Sequence, residues 1–178
     1  MDHGGLAKKT TCVGHSLGAH ICGMISNHLD IKQYRIVALD PARPLVAQYA
    51  NDDTRLTHDD AYQVQVIHTN AGRLGEVNQR GTVDFCLNGG MIQPGCRGHN
   101  FRIARCSHNQ AVCFFASTVS GKSTHMGRPC SAACPKNNSS WGIVPGKAIP
   151  MGVDTPISAK GSYCVDTGYH DECPFNNS

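Results

Sequence analysis

Cys12-Val13-Gly14-His15-Ser16-Leu17-Gly18-Ala19-His20 contains the pattern Gly14-x-Ser16-x-Gly18. Ahead of it, Lys9 to Val13 is short and β-prone. Behind it, Leu17 to Leu29 carries Leu17, Ile21, Met24 and Ile25 at helical spacing. The spacing predicts a strand over 9–13, a sharp turn at the serine and a helix over 17–29. In that context GxSxG reads as a nucleophile elbow. A serine at the tip of a strained turn exposes its oxygen, and the first N–H groups of the helix point at the same place. Bulk two residues to either side is expected to clash, which would account for both glycines. The N–H of Leu17 is the candidate donor to a developing oxyanion.

Outward from the elbow, Tyr34-Arg-Ile-Val-Ala-Leu39 reads as a strand buried on both faces, stopped by Asp40-Pro41-Ala42-Arg43-Pro44. Strand, helix and strand with a short link make a βαβ unit, so the two strands are expected to be parallel. Residues 45–58 read as irregular and polar. Tyr62 to His68 alternates and predicts a third strand. Residues 69–107 are punctuated by glycines and read as loops. Asn109 to Ser120 predicts a helix with Ala111, Phe114, Phe115 and Thr118 on one side. A weak strand is expected near Ser162 to Val165. Residues 1–8 read as a helix end with Gly4-Gly5 as its cap. The fold class is α/β: a parallel sheet with flanking helices, and cysteine-bearing loops toward the C-terminus.

The 178 residues suffice for one domain spanning 1–178, and no apolar run is long enough to cross a membrane. A net charge of +3, scattered along the chain, gives no nucleic-acid footprint. The 10 cysteines are not spaced as a zinc ribbon and favour disulfides in an oxidising, secreted setting. Asn137-Asn-Ser139, Asn138-Ser-Ser140 and Asn176-Asn-Ser178 are glycosylation sequons. Met1 is followed by polar residues rather than a signal peptide. The sequence therefore looks like a piece whose N-terminal part is missing. Cys12 is expected to be a free apolar residue of the buried strand. Cys164 and Cys173 are candidates to pair with each other, as are Cys130 and Cys134, with crossed pairings in the tail left open. Cys22 and Cys113 fall in helices, and Cys86 stays open.

A serine hydroxyl needs a base to take its proton, and the base needs an acid to fix its tautomer. With this elbow the order along the chain is serine, acid, histidine. Asp40 ends the strand next to the nucleophile strand, where open α/β sheets carry their working groups. Asp59 and Asp60 are rivals that more naturally begin the third strand. His68, His99, His108, His125 and His170 all follow Asp40 as possible bases. His108 is the favourite, because neighbouring Cys106 could anchor it.

These residues resemble a family. Gly14 to His20, Leu39-Asp-Pro-Ala42, Val66-Ile-His-Thr-Asn70, Asp84-Phe85 with Asn88-Gly-Gly90, Gln93-Pro-Gly-Cys96 and Cys106-Ser-His108 follow the order and spacing of the pancreatic-type lipases. Within that family the chain is most similar to insect neutral lipases and their phospholipase A1 relatives. The resemblance covers nearly all of the chain. It implies a partial α/β-hydrolase fold and hydrolysis of carboxylic esters in lipids through an acyl-serine. Ser16 would be nucleophile, Asp40 acid and His108 base. It also implies a Cys96–Cys106 disulfide closing a lid loop, Arg97 to Arg105. Phe101 and Ile103 would enter the lipid while Arg97, Arg102 and Arg105 meet phosphate. The lid is short, which is similar to phospholipases and shifts the expected substrate toward phospholipid. Loop 69–84 would form a second wall.

The chain departs from the family pattern in three respects. The strands that precede the elbow are absent, and with them the second oxyanion donor. One sheet edge should be left unpaired, and the chain alone should be inactive or poorly folded. The C-terminal lipid-binding sandwich is absent, so no colipase partner is expected. Asp52, Arg55 and Asp60 match the family's calcium loop, but Thr57 stands where a carboxylate belongs, so no metal is assigned; no cofactor is implied either. The competing reading is a non-catalytic lipid-binding or yolk-type relative. The presence of Ser16, Asp40 and His108 argues against it. A protease or thioesterase fits poorly with the lid and the Asp40 block.

Overall fold

In the computed structural model, which describes residues 9–28, 32–121, 124–131, 134–135, 142–168 and 173–174, the elbow stretch folds as strand, turn and helix. β1 is Thr11–His15 and α1 is Leu17–His28. The strand begins two residues later than expected and carries His15 at its end. Then come β2 (Gln33–Leu39), α2 (Val46–Tyr49), a 3-10 turn (Asp52–Thr54), β3 (Ala61–His68) and β4 (Val83–Leu87). α3 (Asn100–Val119), β5 (Met126–Pro129), β6 (Ile149–Pro150) and β7 (Gly161–Val165) complete the described elements. One mixed sheet runs in the order β1-β2-β3-β4-β7-β5-β6. Pairing is parallel from β1 through β4 to β7 and antiparallel at β5 and β6. This is a partial α/β fold, as the sequence implied. Among the described residues β1 ends the sheet and pairs only with β2. The reading of residues 1–8, the sequons and His170 lie outside the described residues.

The alternation of β2 divides the core in two. Ile36 and Ala38 pack with Ala19 and Cys22 of α1, Leu56, and Val64 and Val66 of β3. Val37 and Leu39 pack on the other face with Ile67, Phe85, Met151 and, from α3, Ala111 and Phe114. Burying an aromatic such as Phe85 or Phe114 contributes about 1.5–3 kcal/mol each. β3 alternates as expected, yet its polar side is not solvated. Gln65 bonds Gly152 through both its amide groups, receiving the Gly152 N–H at 2.8 Å and donating to its carbonyl at 3.0 Å. A glutamine that imitates a strand partner can be buried without loss.

Several expectations need correction. The helix around His108 begins at Asn100, not Asn109, so the segment read as a lid loop is largely helical. Its buried positions there are Ala104, Cys106, Ser107 and His108, small or polar, which hid the periodicity. β4 lies within the glycine-punctuated stretch expected to be loop, although Val83, Phe85 and Leu87 alternate there. α1 does not bury Leu17, Ile21 and Ile25, which are exposed. It buries Ala19, His20, Cys22 and Gly23 instead. A Cβ at Gly23 would stand 2.5 Å from Asp60 Oδ2 and 3.0 Å from the Leu56 Cα, so small residues let the helix sit down on that loop.

The cysteines pair as Cys12–Cys22, Cys86–Cys134, Cys96–Cys106, Cys113–Cys173 and Cys130–Cys164. Only Cys96–Cys106 was expected. Cys12 is bonded rather than free, because α1 folds back over β1 and brings Cys22 onto it. Cys130–Cys134 and Cys164–Cys173 do not form. Parallel β4 and β7 put Cys86 beside Cys164, and the two cystines that result pack together with Ala71.

Candidate active site

The elbow has the expected backbone. Ser16 sits at φ 56°, in the left-handed region that a side-chain-bearing residue enters only under strain. Its N–H donates to Leu39 O at 3.0 Å, and its carbonyl accepts from Ala19 and from Ala42. These bonds tie the elbow turn to the segment that follows Asp40. Gly14 is required: a Cβ there would lie 2.2 Å from Gly18 O. The expected crowding at Gly18 is not found, since a Cβ there meets nothing within 4 Å. Leu17 is the first residue of α1, so its N–H has no carbonyl one turn earlier in the helix.

Asp40 follows β2 at φ 42° and is fully buried. Its own N–H donates to Ile67 O at 2.8 Å. Oδ1 accepts the N–H groups of Thr69 and Asn70 at 2.8 and 2.9 Å. Oδ2 accepts from His108 Nδ1 at 2.6 Å. Two backbone N–H groups and one ring N–H thus satisfy the buried carboxylate. With its Nδ1–H donated to Asp40, His108 leaves Nε2 as the ring nitrogen free to accept a hydrogen bond. The loop 69–76 closes over the acid. Glu76 N–H donates to Pro41 O, Arg43 N–H donates to Leu74 O, and Gly75 lies against the carboxylate. Thr69, Asn70 and Gly75 were not singled out as site residues. Val66 to Asn70 drew notice only as a matching block, because a backbone N–H leaves no mark on residue type.

His15 was passed over as well. Its Nε2–H donates to the His108 carbonyl at 3.1 Å, and the two rings lie 4.5 Å apart. Burial, and then the nearby His108, lower the His15 pKa and keep it neutral. Gln93 is a second hidden support. Buried, it donates from Nε2 to Thr69 O and Leu87 O, both at 2.9 Å, and its N–H donates to Ser107 Oγ at 3.0 Å. It joins the acid loop, the end of β4 and the turn of α3 that carries His108.

The other candidates have structural partners. His68 pairs with Asp84 at 2.8 Å, fully buried. Burial opposes a charge on it, but the hydrogen bond and the charge of Asp84 outweigh this and raise its pKa. His125 meets Ser117 and the Phe114 ring on α3. His99 caps α3. His20 donates from Nε2 to Ala42 O at 2.9 Å and accepts the Leu56 N–H at Nδ1, and burial lowers its pKa. Asp59 and Asp60 lie before β3, at the sheet edge opposite Asp40.

Asp52, Asp53, Asp59, Asp60 and Thr57 line a cleft of about 650 Å³ that also holds Lys32 and Arg80. Asp52 is paired with Arg55 at 2.8 Å. Thr57 donates its N–H to Asp60 Oδ2, and its hydroxyl lies 2.7 Å from Asp59 Oδ1 and 2.9 Å from Asp60 Oδ1. Burial raises the Asp60 pKa. A carboxylate engaged this way is a poor calcium ligand. No cluster of three metal-ligating side chains forms among the described residues. These residues do not fit the family's calcium site.

The lid segment keeps its disulfide but not its expected shape. Phe101, Arg102, Ile103 and Arg105 stand on the first turns of α3, and Arg97 precedes them. Arg97, Phe101, Arg102 and Arg105 are exposed, while Ile103 is half-buried. Among the described residues no helix is long and apolar enough to cross a membrane.

Residues 7–160 match the family model described as Lipase. The chain is similar to a phospholipase A1 of Vespa crabro, 36% identical over 169 residues, covering 88% of this chain and 55% of that protein. It is 40% identical over 124 residues to a phospholipase A1 of Vespa velutina, covering 67% and 40%. It is also similar to lipase member H of Rattus norvegicus, 32% identical over 161 residues, covering 89% and 33%. The chain thus spans about a third to a half of the length of these relatives. On the match across most of its length, together with the elbow, the chain belongs to the pancreatic-type lipase family.

Proposed function

We propose that this chain supplies the catalytic α/β unit of a secreted hydrolase of carboxylic esters in lipids, with Ser16 as nucleophile. The observation that carries the reading is the 2.6 Å contact of His108 with buried Asp40. It lies beside the strained elbow, with His15 linking the two. In this reading His108 Nε2 takes the Ser16 proton as Oγ attacks the ester carbonyl carbon. The Leu17 N–H bonds the resulting oxyanion. Collapse expels the alcohol, which receives the proton from His108, and leaves an acyl-serine. Water, deprotonated by the same nitrogen, then releases the fatty acid. Asp40 holds the imidazole and stabilises its charged form throughout.

The names of the wasp and hornet relatives, with the short arginine-bearing lid, favour phospholipid over triacylglycerol as substrate. Five disulfides support an extracellular setting. Neither a cofactor nor colipase enters the reading. The test is release of fatty acid from phosphatidylcholine and from triolein by the full-length protein that carries this chain and by its Ser16→Ala variant. We expect faster release from the phospholipid, and a loss of at least about 10³-fold on substitution. Equal activity in Ser16→Ala would overturn the reading.

A further inference from the structure

The edge of the sheet that carries Asp40 also carries the most exposed apolar side chains among the described residues. Tyr49 is 79% exposed, Leu45 71% and Phe101 64%. Leu45 is the N-cap residue of α2 and Tyr49 its last residue, outside the lid. Leu45 holds φ 67°, a conformation that costs a leucine strain, and no burial of its side chain offsets that strain. The segment lies beside the other walls of the site. Arg43 N–H donates to Leu74 O at 2.7 Å, and Arg73 Nη1 reaches Asn100 O, at the start of the lid helix, at 3.5 Å.

Charge on this edge is one-sided. The chain has no Asp or Glu between Asp40 and Asp52, between Asp60 and Glu76, or between Asp84 and Asp154. Those runs contain α2, the loop over the acid and the whole lid. Asp40, which begins the first run, and Glu76, which ends the second, are buried. Asp52 is paired with Arg55, and Asp166 bounds the surface beside Ile92 and Pro94. What remains exposed is Arg43 and the lid arginines around protruding apolar tips.

We propose that residues 43–49, together with the lid helix, form a docking surface for an anionic lipid bilayer, with Leu45 and Tyr49 entering the headgroup layer and Arg43 meeting lipid phosphate. The proposal rests on the lipid-ester reading above and extends it from the bond cleaved to the surface on which it is cleaved. Apolar side chains supply insertion, and each arginine near an anionic surface adds about fivefold in affinity.

Sedimentation with vesicles tests it in Ser16→Ala protein, where no lipid is consumed. Phosphatidylcholine vesicles are compared with vesicles in which about a third of the lipid is phosphatidylserine. We expect at least about tenfold tighter binding to the anionic vesicles, with that preference lost at about 1 M salt, where screening is nearly complete. Leu45→Ser with Tyr49→Ser should weaken anionic binding about tenfold with circular dichroism unchanged, and Arg43→Gln about fivefold. Equal binding to both vesicles, or no effect of the double substitution, would overturn the proposal. So would a change of mass in solution on that substitution with vesicle binding intact, which would assign the surface to a second copy. Vesicle binding without phosphonate labelling of Ser16 would instead contradict the hydrolase reading and leave the docking surface standing.

Discussion

Gly75 lies against both carboxylate oxygens of Asp40: a Cβ on it would stand 2.5 Å from each. Asp40 cannot retreat, since its oxygens are held by Thr69, Asn70 and His108. Gly75→Ala must therefore move either the loop or the acid. A displacement of about 1 Å in such a site lowers kcat about 100-fold. We expect a loss of that size with KM and the circular dichroism spectrum little changed. Wild-type kcat in Gly75→Ala would show that the Asp40 position does not limit the reaction.

His15 touches His108 in two ways, through its hydrogen bond to the backbone and through its ring. His15→Phe keeps a ring of similar shape and removes the donor; His15→Ala removes both. A neutral hydrogen bond is worth about 1 kcal/mol, so His15→Phe should lower kcat about fivefold and His15→Ala by more. Steady-state rates on a soluble short-chain ester measure both. Equal loss in the two variants would mean that the ring contact contributes nothing.

Two buried histidines should bound the stability of the fold from opposite sides. His20 has a lowered pKa and binds fewer protons folded than unfolded. Its contribution is full above its ordinary value of 6.5 and is lost as pH falls below it. Protonation puts a hydrogen on Nδ1, which now accepts the Leu56 N–H. His68 has a raised pKa, so its contribution is full below 6.5 and is lost as pH rises through its folded value. Denaturant melts between about pH 5 and pH 8 should decline toward both ends. His20→Gln should flatten the acid decline and His68→Gln the alkaline one. His68→Gln also leaves Asp84 buried without its partner, at a cost of about 3–5 kcal/mol. Unchanged slopes in both variants would contradict the assignment.

Cys96–Cys106 closes a short loop over the first turns of α3. Replacing both with serine should cost about 2–3 kcal/mol in stability, the range for a loop of this size. Activity on vesicles should fall more than activity on a soluble ester, because the exposed Phe101 loses its fixed position. A urea melt and paired assays measure the two effects. Equal loss on both substrates would mean the lid segment does not act at the interface.

How legible the site was depends on what kind of atom does the work. Ser16, Asp40 and His108 carry their chemistry in their side chains, and strand-turn-helix context gave each a place. His108 was one of several histidines by its residues alone and was set apart by the resemblance; it contacts Asp40 at 2.6 Å. What stayed hidden works through backbone atoms or through an absent side chain. The N–H groups of Thr69 and Asn70, the His108 carbonyl that accepts from His15, and the bare Cα of Gly75 belong to no motif chemistry. The helix around His108 was invisible for a related reason. Its buried positions before Asn109 are Ala104, Cys106, Ser107 and His108, so a periodicity of large apolar residues had nothing to detect. The disulfides failed on topology. Cys130 and Cys134 are close in sequence, but each pairs with a cysteine brought near by the parallel neighbours β4 and β7.

Covalent labelling with a serine-directed alkyl phosphonate, mapped by peptide mass spectrometry, asks whether Ser16 is an activated nucleophile. The expected result is one adduct, on the peptide that carries Ser16. It should be absent in Ser16→Ala and form at least about 100-fold more slowly in His108→Gln, which lacks the base. An adduct on another residue, or an unchanged labelling rate in His108→Gln, would contradict the mechanism.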